Sequence, residues 1–225
     1  MADKTNSTNS INREKRILDF EDMKDHQSLI EHLEVLIGRY RGLHVVPLSM
    51  CEGRIVPAVF LGHGSRITVY TADADGESFL PSQLLMRYIN EYCEMRQSGR
   101  RVFGIDLLSF EESRSVCVIP ISHTADGVAY TADSVSGDRR LSIELKQGDS
   151  HITCAEASCT GRCRGVAQSV GRLCGLQPTI DPSLHETSRP HFNIYCGRCY
   201  ETEEQGFFRT YASVRELLFV APIIV

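Results

Sequence analysis

Apolar residues recur at the spacing of an amphipathic helix in several stretches of the chain. Leu29, Leu33 and Leu36 form the first such stripe. In the second, Pro81 suits the first turn because its missing N–H costs little there, and Gly99 ends the pattern. The same periodicity predicts two later helices, one over 166–173 that ends at Gly175 and one from 207 that stops at Pro222.

Short apolar runs alternate with these helices and are typical of buried strands. Residues 55–61 and 67–72 are two such runs, joined by a hairpin-like connection over 62–65. Four more strands are predicted, at 103–108, 115–121, 141–145 and 192–196. Because strands interleave with helices, the sequence predicts an α/β fold: a mixed central β-sheet with helices on both faces.

The start of the chain differs in composition from the remainder. Residues 1–14 are polar and lack the hydrophobicity needed to fold, so we expect a flexible tail. The stretch also lacks the apolar segment of a secretory signal. The whole chain has 225 residues, a length that one α/β domain can fill. We therefore expect a single domain over 15–225.

Charge and cysteine usage narrow the function classes. A net charge of -5 argues against a nucleic-acid partner, which would need a concentrated basic face. No apolar run is long enough to suggest a membrane span. Nine cysteines without a signal peptide indicate a reducing compartment, in which they are thiols or metal ligands rather than disulfides. The expected location is the cytoplasm.

Four short stretches occur in an order that resembles a known family. They are 49–58 (SMCEGRIVPA), 71–78 (TADADGES), 118–128 (VIPISHTADGV) and 190–197 (PHFNIYCG). Their order is similar to that of the Gly-Arg, His-Gly-x-Glu, Asp-Gly-Val and Phe-Thr-x-Glu motifs of the zinc carboxypeptidases. The chain especially resembles the short bacterial type that trims peptidoglycan stem peptides. This resemblance spans 25–225 and implies the same α/β fold.

The resemblance also implies where the zinc site of the family would fall. Its first two ligands, the His and Glu of His-Gly-x-Glu, correspond to Asp75 and Ser78. The third ligand, a histidine at the end of a later strand, corresponds to Leu145, and the glutamate that acts as general base corresponds to Tyr195. The segment that grips the substrate carboxylate in the family is missing between Gly127 and Leu145.

These replacements remove the chemistry of peptide hydrolysis. One zinc needs three protein ligands and a carboxylate that accepts the proton of its bound water. A serine hydroxyl does not ionise near neutral pH, and a phenol is protonated there. No catalytic residue is therefore intact, and we expect no metal at the family site. The former substrate pocket would keep Arg54, Asp75, Ser78, Asp126, Leu145 and Tyr195.

Two functions remain open at this point. The first is a catalytically inactive carboxypeptidase-like domain that holds a peptide or a partner protein in the former cleft. The second is an active zinc metallopeptidase with atypical ligands, in which His151 or His123 is recruited.

The cysteines offer a separate metal site. Cys196 and Cys199 have C-x-x-C spacing, and together with Cys159 and Cys163 they could hold a structural zinc. The spacing of the upstream pair is one residue longer than in the usual zinc knuckle. Free thiols are the alternative interpretation.

Overall fold

The structure is a computed structural model of the full chain, and it describes seven segments. These are 19–51, 54–72, 79–122, 130–154, 163–182, 189–197 and 203–225. The expected tail over 1–14 lies outside the described residues. None of the helices in these segments combines the length and the apolar composition that a membrane crossing requires.

Local end signals set the limits of the helices. Asp25 caps the first helix: its carboxylate accepts a hydrogen bond from the backbone N–H of Ser28 at 2.8 Å, and the Ser28 hydroxyl accepts one from the Asp25 N–H at 3.1 Å. Gly99 ends the second helix in the left-handed conformation, with φ of 64°. The helices are α1 (His26–Arg39), α2 (Leu80–Ser98), α3 (Leu107–Glu111), α4 (Arg164–Cys174) and α5 (Glu203–Ile224).

Eight strands form one mixed sheet. In space they follow the order β1-β2-β4-β3-β5-β8-β6-β7, so β1 and β7 are its edges. The strands are β1 (His44–Cys51), β2 (Arg54–Gly62), β3 (Arg66–Ala72), β4 (Arg114–Ile119), β5 (Asp138–Gln147), β6 (His151–Cys154), β7 (Pro178–Ile180) and β8 (His191–Cys196). The central strands β4, β3, β5 and β8 are parallel to one another, whereas β2 and β6 run antiparallel to their neighbours β4 and β8.

The two faces of the sheet are covered differently. On the first face, strand residues such as Tyr70, Ile143 and Phe192 pack with all five helices in one large apolar cluster. On the second face, a smaller apolar cluster lies over β2, β3 and β4, where Ala132 and Val135 cover the strands. Those two residues lie in and beside a 3-10 turn (Ala132–Ser134) rather than a long helix.

The predicted α/β fold with a mixed central sheet is confirmed, but some element predictions are wrong. Residues 103–108 do not form a strand: Val102 and Ile105 form an isolated bridge around a tight turn, and Asp106 then caps α3. The last helix does not stop at Pro222 but continues to Ile224. The sequence patterns do not predict three of the strands, namely β1, β6 and β7.

Candidate functional site

The carboxyl ends of three neighbouring parallel strands bring the described family positions to one edge of the sheet. Ala72, the last residue of β3, is paired with Leu145 on β5. Next along β5, Lys146 is paired with Tyr195 on β8. Ligands of open α/β sheets bind at such carboxyl ends, so this edge is the candidate site. Asp75, Ser78 and Asp126 lie outside the described residues.

Leu145 and Tyr195 point to opposite faces of the sheet. Leu145 pairs with Ile194 and is fully buried in the apolar cluster of the first face. Tyr195 is the next residue after Ile194, and successive side chains of a strand alternate between the faces. Leu145 is therefore not a partner of Tyr195 in one site. Near this edge, the β5 residues on the face of Tyr195 are Glu144 and Lys146.

Charged and aromatic groups surround Tyr195 on this second face. Lys146 Nζ lies 3.7 Å from Glu144 Oε1, and both side chains are partly buried. The imidazole of His151 stacks on the Tyr195 ring, with 3.9 Å between ring centroids and 10° between planes. Gly148 makes room for that ring, because a Cβ there would lie 3.1 Å from Tyr195 Cδ1. The edge thus carries an ammonium, a carboxylate, a phenol and an imidazole.

A polar cluster continues along the same face towards the start of β8. His191 Nδ1 lies 2.8 Å from the Ser142 hydroxyl, and His191 Nε2 lies 3.1 Å from Asn193 Oδ1. Burial lowers the pKa of His191, although the hydrogen bond to Asn193 opposes that effect. Ser142 and Asn193 are themselves buried. This cluster was missed from sequence, although polar residues at alternate positions of β5 and β8 were the signal for it.

Arg54 occupies a different part of the same edge. It is exposed at the start of β2, where it is paired with Cys51 of β1. Because β2 runs antiparallel to β4, Arg54 lies beyond the carboxyl end of β4. The structure therefore puts Arg54 on the side of the edge away from β5 and β8.

Solved structures of carboxypeptidases match this chain over most of its length. Bovine thrombin-activatable fibrinolysis inhibitor, in complex with a tick carboxypeptidase inhibitor, gives a TM-score of 0.58 at 7% identity, over 91% of this chain and 97% of its own. Carboxypeptidase A from Helicoverpa armigera gives 0.54 at 8% identity, over 96% and 81%. The metallo-carboxypeptidase from Burkholderia cenocepacia gives 0.55 at 10% identity, over 86% and 68%. The fold is that of the zinc carboxypeptidases.

The likeness to the zinc carboxypeptidases lies in the fold alone, because the identities are so low. No protein-family model and no curated protein matches the sequence. Three of the stretches that resemble the family nevertheless overlap the carboxyl ends of neighbouring parallel strands or contain a whole strand. These strands are β3, β4 and β8. The chemistry has to be derived from the residues of this chain.

A zinc carboxypeptidase holds its metal with three protein ligands, and the described residues do not supply them. No group of three His, Cys, Asp or Glu side chains in the seven described segments lies close enough to hold a metal ion. Leu145 faces the core, and Lys146 brings a cation to the side of Tyr195. Glu144 and His151 are the described residues at this edge with metal-binding side chains. Of the positions at which the family binds zinc, Leu145 therefore offers no ligand, and Asp75 and Ser78 lie outside the described residues.

The cysteine site can be followed at only some of its positions, because Cys159 and Cys199 lie outside the described residues. Cys163 has a free thiol at the start of α4, and Cys196 has a free thiol in the core. Burial, together with a smaller effect of the nearby Cys174, raises the pKa of Cys196 to about 12. A zinc ligand must be a thiolate, so this environment disfavours metal binding by Cys196. The four-cysteine zinc site stays a prediction.

One cysteine departs from the expectation drawn from composition. Cys154, at the end of β6, is disulfide-bonded. The expectation that every cysteine is a thiol or a metal ligand is therefore wrong at this position.

Proposed function

We propose that this protein is a carboxypeptidase-fold domain that does not hydrolyse peptides and that binds a peptide or a segment of a partner protein at the carboxyl edge of its sheet. The observation that carries this proposal is the opposed orientation of Leu145 and Tyr195 on neighbouring strands. One position offers a core leucine and the other a phenol stacked on His151. Neither supports a bound zinc or a general base.

The lack of a carboxylate at position 195 supports the proposal that the domain does not hydrolyse peptides. Zinc peptidases need a carboxylate that takes a proton from the attacking water, and general acid–base catalysis contributes about a hundred- to ten-thousandfold in rate. The ring of Tyr195 is fixed against His151 rather than free to act on a water. Hydrolysis would therefore be slow even if a metal were supplied.

The same groups suit the recognition of a peptide. The Lys146 ammonium and the Glu144 carboxylate carry opposite charges side by side, and each can pair with a terminus or a charged side chain of a ligand. The stacked rings of His151 and Tyr195 add a flat aromatic surface beside them. The bovine protein of similar fold was solved in complex with tick carboxypeptidase inhibitor, so a domain of this fold can bind such a partner.

A second candidate is an active metallopeptidase with atypical ligands. Glu144 and His151 favour it, since both lie on the face of Tyr195 and have side chains that can bind zinc. His63, by contrast, precedes β3 at the opposite end of the parallel strands and cannot join them. His123 lies outside the described residues.

Zinc binding and hydrolysis distinguish the two candidates. We expect calorimetric titration of the native chain with Zn²⁺ to show no tight site, and we expect no cleavage of short acyl-peptides or stem peptides with zinc present. Non-cleaved peptides should bind, and Lys146→Gln should weaken that binding. Arg164→Gln, which alters an exposed cation on α4, serves as the control. Zinc-dependent cleavage by the native chain would refute the proposal.

Restoring the family residues tests the placement of the third ligand. The base variant carries Asp75→His, Ser78→Glu and Tyr195→Glu, and a histidine is then added at one of three positions. With Glu144→His or Lys146→His the new imidazole lies on the same face of the sheet as position 195, whereas with Leu145→His it enters the core. We expect tighter zinc binding from either of the first two, measured by titration. We expect little peptidase activity from any of them, because losing even one oxyanion donor costs about a hundred- to a thousandfold.

A further inference from the structure

A cavity lies at the end of the sheet opposite the candidate site. It has a volume of about 420 Å³ and is bounded by the turn after α1, the end of β2, the last turns of α2 and the end of α3. Because β3 and β4 begin near this end, the cavity is separated from the carboxyl edge by the length of the strands. Volumes of about 300–1,000 Å³ are typical of small-molecule sites.

One guanidinium in this cavity is fixed in place by a buried carboxylate. Arg96 Nε donates hydrogen bonds to both oxygens of Glu111 at 2.8 Å, and the hydroxyl of Tyr92 donates to Glu111 Oε1 at 3.1 Å. The hydrogen bonds from Arg96 to Glu111 raise the pKa of Arg96, so its charge is permanent. Glu111 is only 2% exposed, whereas the side chain of Arg96 is 44% exposed.

The free end of that guanidinium faces the cavity. Its bonds to Glu111 use Nε alone, and Nη1 and Nη2 make no hydrogen bond to any described residue. Gly42 lies opposite: a Cβ there would be 3.5 Å from Arg96 Nη1. In the ion pair of Arg215 with Glu91, by contrast, an Nη group joins Nε in binding the carboxylate. The two Nη groups of Arg96 therefore remain available to bind another anion.

The remaining walls are suited to an apolar body. Leu43, Leu61 and the ring of Tyr92 line the cavity, and Arg41 adds a second cation at its rim. Among the described lining residues Glu111 supplies the only carboxylate, and Arg96 already neutralises it. The cavity thus combines excess positive charge with aliphatic and aromatic surface.

We propose that this cavity binds a small organic carboxylate with an apolar or aromatic body, through a bidentate contact from the Nη groups of Arg96. Glu111 and Tyr92 act as positioning residues, because they hold the guanidinium in the orientation that the ligand meets. Arg41 contributes charge at the entrance. The site is independent of the carboxyl edge and of any metal.

Calorimetric titration of the full chain with simple aromatic acids tests the proposal. The probes are phenylacetate, 3-phenylpropionate and indole-3-acetate, and phenylacetamide is the neutral analogue of nearly the same shape as phenylacetate. We expect at least one acid to bind, and for phenylacetate we expect the amide to bind at least about tenfold more weakly, since a hydrogen bond to a charged group is lost. Chemical shifts of residues near Arg96 should move during the titration.

Three variants locate the site. Gly42→Leu fills the space in front of Arg96 without touching its bonds to Glu111, and we expect it to abolish binding. Arg96→Lys keeps the charge but removes the planar fork, and we expect a loss of about tenfold or more. Arg100→Ala removes an exposed arginine just beyond α2 and should leave the affinity unchanged. Since Gly42→Leu leaves the ion pair intact, it remains informative if Arg96→Lys folds poorly.

The results that overturn the proposal are specific. It fails if none of the three acids binds up to about 10 mM, a limit that corresponds to a negligible affinity. It also fails if the amide binds as well as its acid, or if Gly42→Leu binds as tightly as the native chain.

Discussion

The two faces of the same strands have opposite characters. On β5 and β8, every second side chain enters the apolar cluster of the first face, as Ile143, Leu145 and Phe192 do. The side chains between them are polar, as at Glu144 and Asn193. In most buried parallel strands both faces are apolar. The polar face of β5 and β8 is therefore a departure from what stability alone would select.

The contrast between the two faces shows which strand positions can be occupied by functional residues. A leucine on the first face belongs to the apolar cluster that packs the five helices against the sheet. Replacing it with a polar ligand residue would therefore disrupt the core. A residue one position away faces the other side and can be charged at modest cost. A one-residue error in alignment thus exchanges a core position for a site position, and this is what separates Leu145 from Glu144 and Lys146.

The largest expected effect comes from truncating one residue on each face of β8. Phe192→Ala should lower the free energy of unfolding by about 3–5 kcal/mol, because it removes a fully buried ring from the core. Tyr195→Ala should cost no more than about 1.5 kcal/mol, since that ring is only partly buried. Urea denaturation followed by circular dichroism measures both. Equal losses in the free energy of unfolding would contradict the assignment of Phe192 to the core face and of Tyr195 to the polar face.

An intermediate effect is expected from placing histidine at neighbouring positions of β5. Leu145→His should destabilise the protein by about 2–4 kcal/mol, because it replaces apolar packing with a polar ring in the core. Lys146→His should cost about 1 kcal/mol or less, since its side chain is 24% exposed. The comparison uses thermal and urea unfolding of the two single variants. A milder effect at 145 than at 146 would reverse the assignment of faces.

How far the sequence could predict the fold depends on the kind of signal each element carries. The helix around Leu29, Leu33 and Leu36 has a strong period and was found. Strand β4 was found because it is a nearly continuous apolar run. In contrast, β7 has three residues and β6 has four, which is too short for any periodicity to register.

The errors have equally local causes. The apolar run at 103–108 predicts a strand, but Phe103 and Gly104 adopt positive φ values of 49° and 80° and turn the chain. Pro222 lies near the end of α5, where only a few hydrogen bonds remain to be lost, so it did not end the helix. Such outcomes depend on tertiary packing rather than on propensity.

The candidate site was predictable only in outline. The resemblance placed family positions on or beside β3, β5 and β8, and the structure brings the carboxyl ends of these strands to one edge of the sheet. The face to which each residue points depends on strand register, which the motifs do not give, and Leu145 points into the core. The contact between His151 and Tyr195 arises from the pairing of β6 with β8, and β6 was not predicted.

The smallest effect concerns the titration of His191 on the polar face. Burial lowers its pKa below the ordinary value of 6.5, so the folded protein resists a proton that the unfolded chain accepts. Its contribution to stability is therefore complete above pH 6.5 and declines as the pH falls towards the folded pKa. We expect His191→Gln to flatten the loss of stability in that range. Exposed His44→Gln is the control, and an unchanged pH profile for His191→Gln would refute the assignment.

The edges of the sheet have a consequence for the behaviour of the protein in concentrated solution. An exposed edge strand offers unpaired backbone groups to which another chain can add, and this is a common route to aggregation. Both edges carry a proline here: Pro47 lies beside an irregularity in β1, and Pro178 begins the very short β7. Proline cannot donate a backbone hydrogen bond, so neither edge presents a complete template for strand addition.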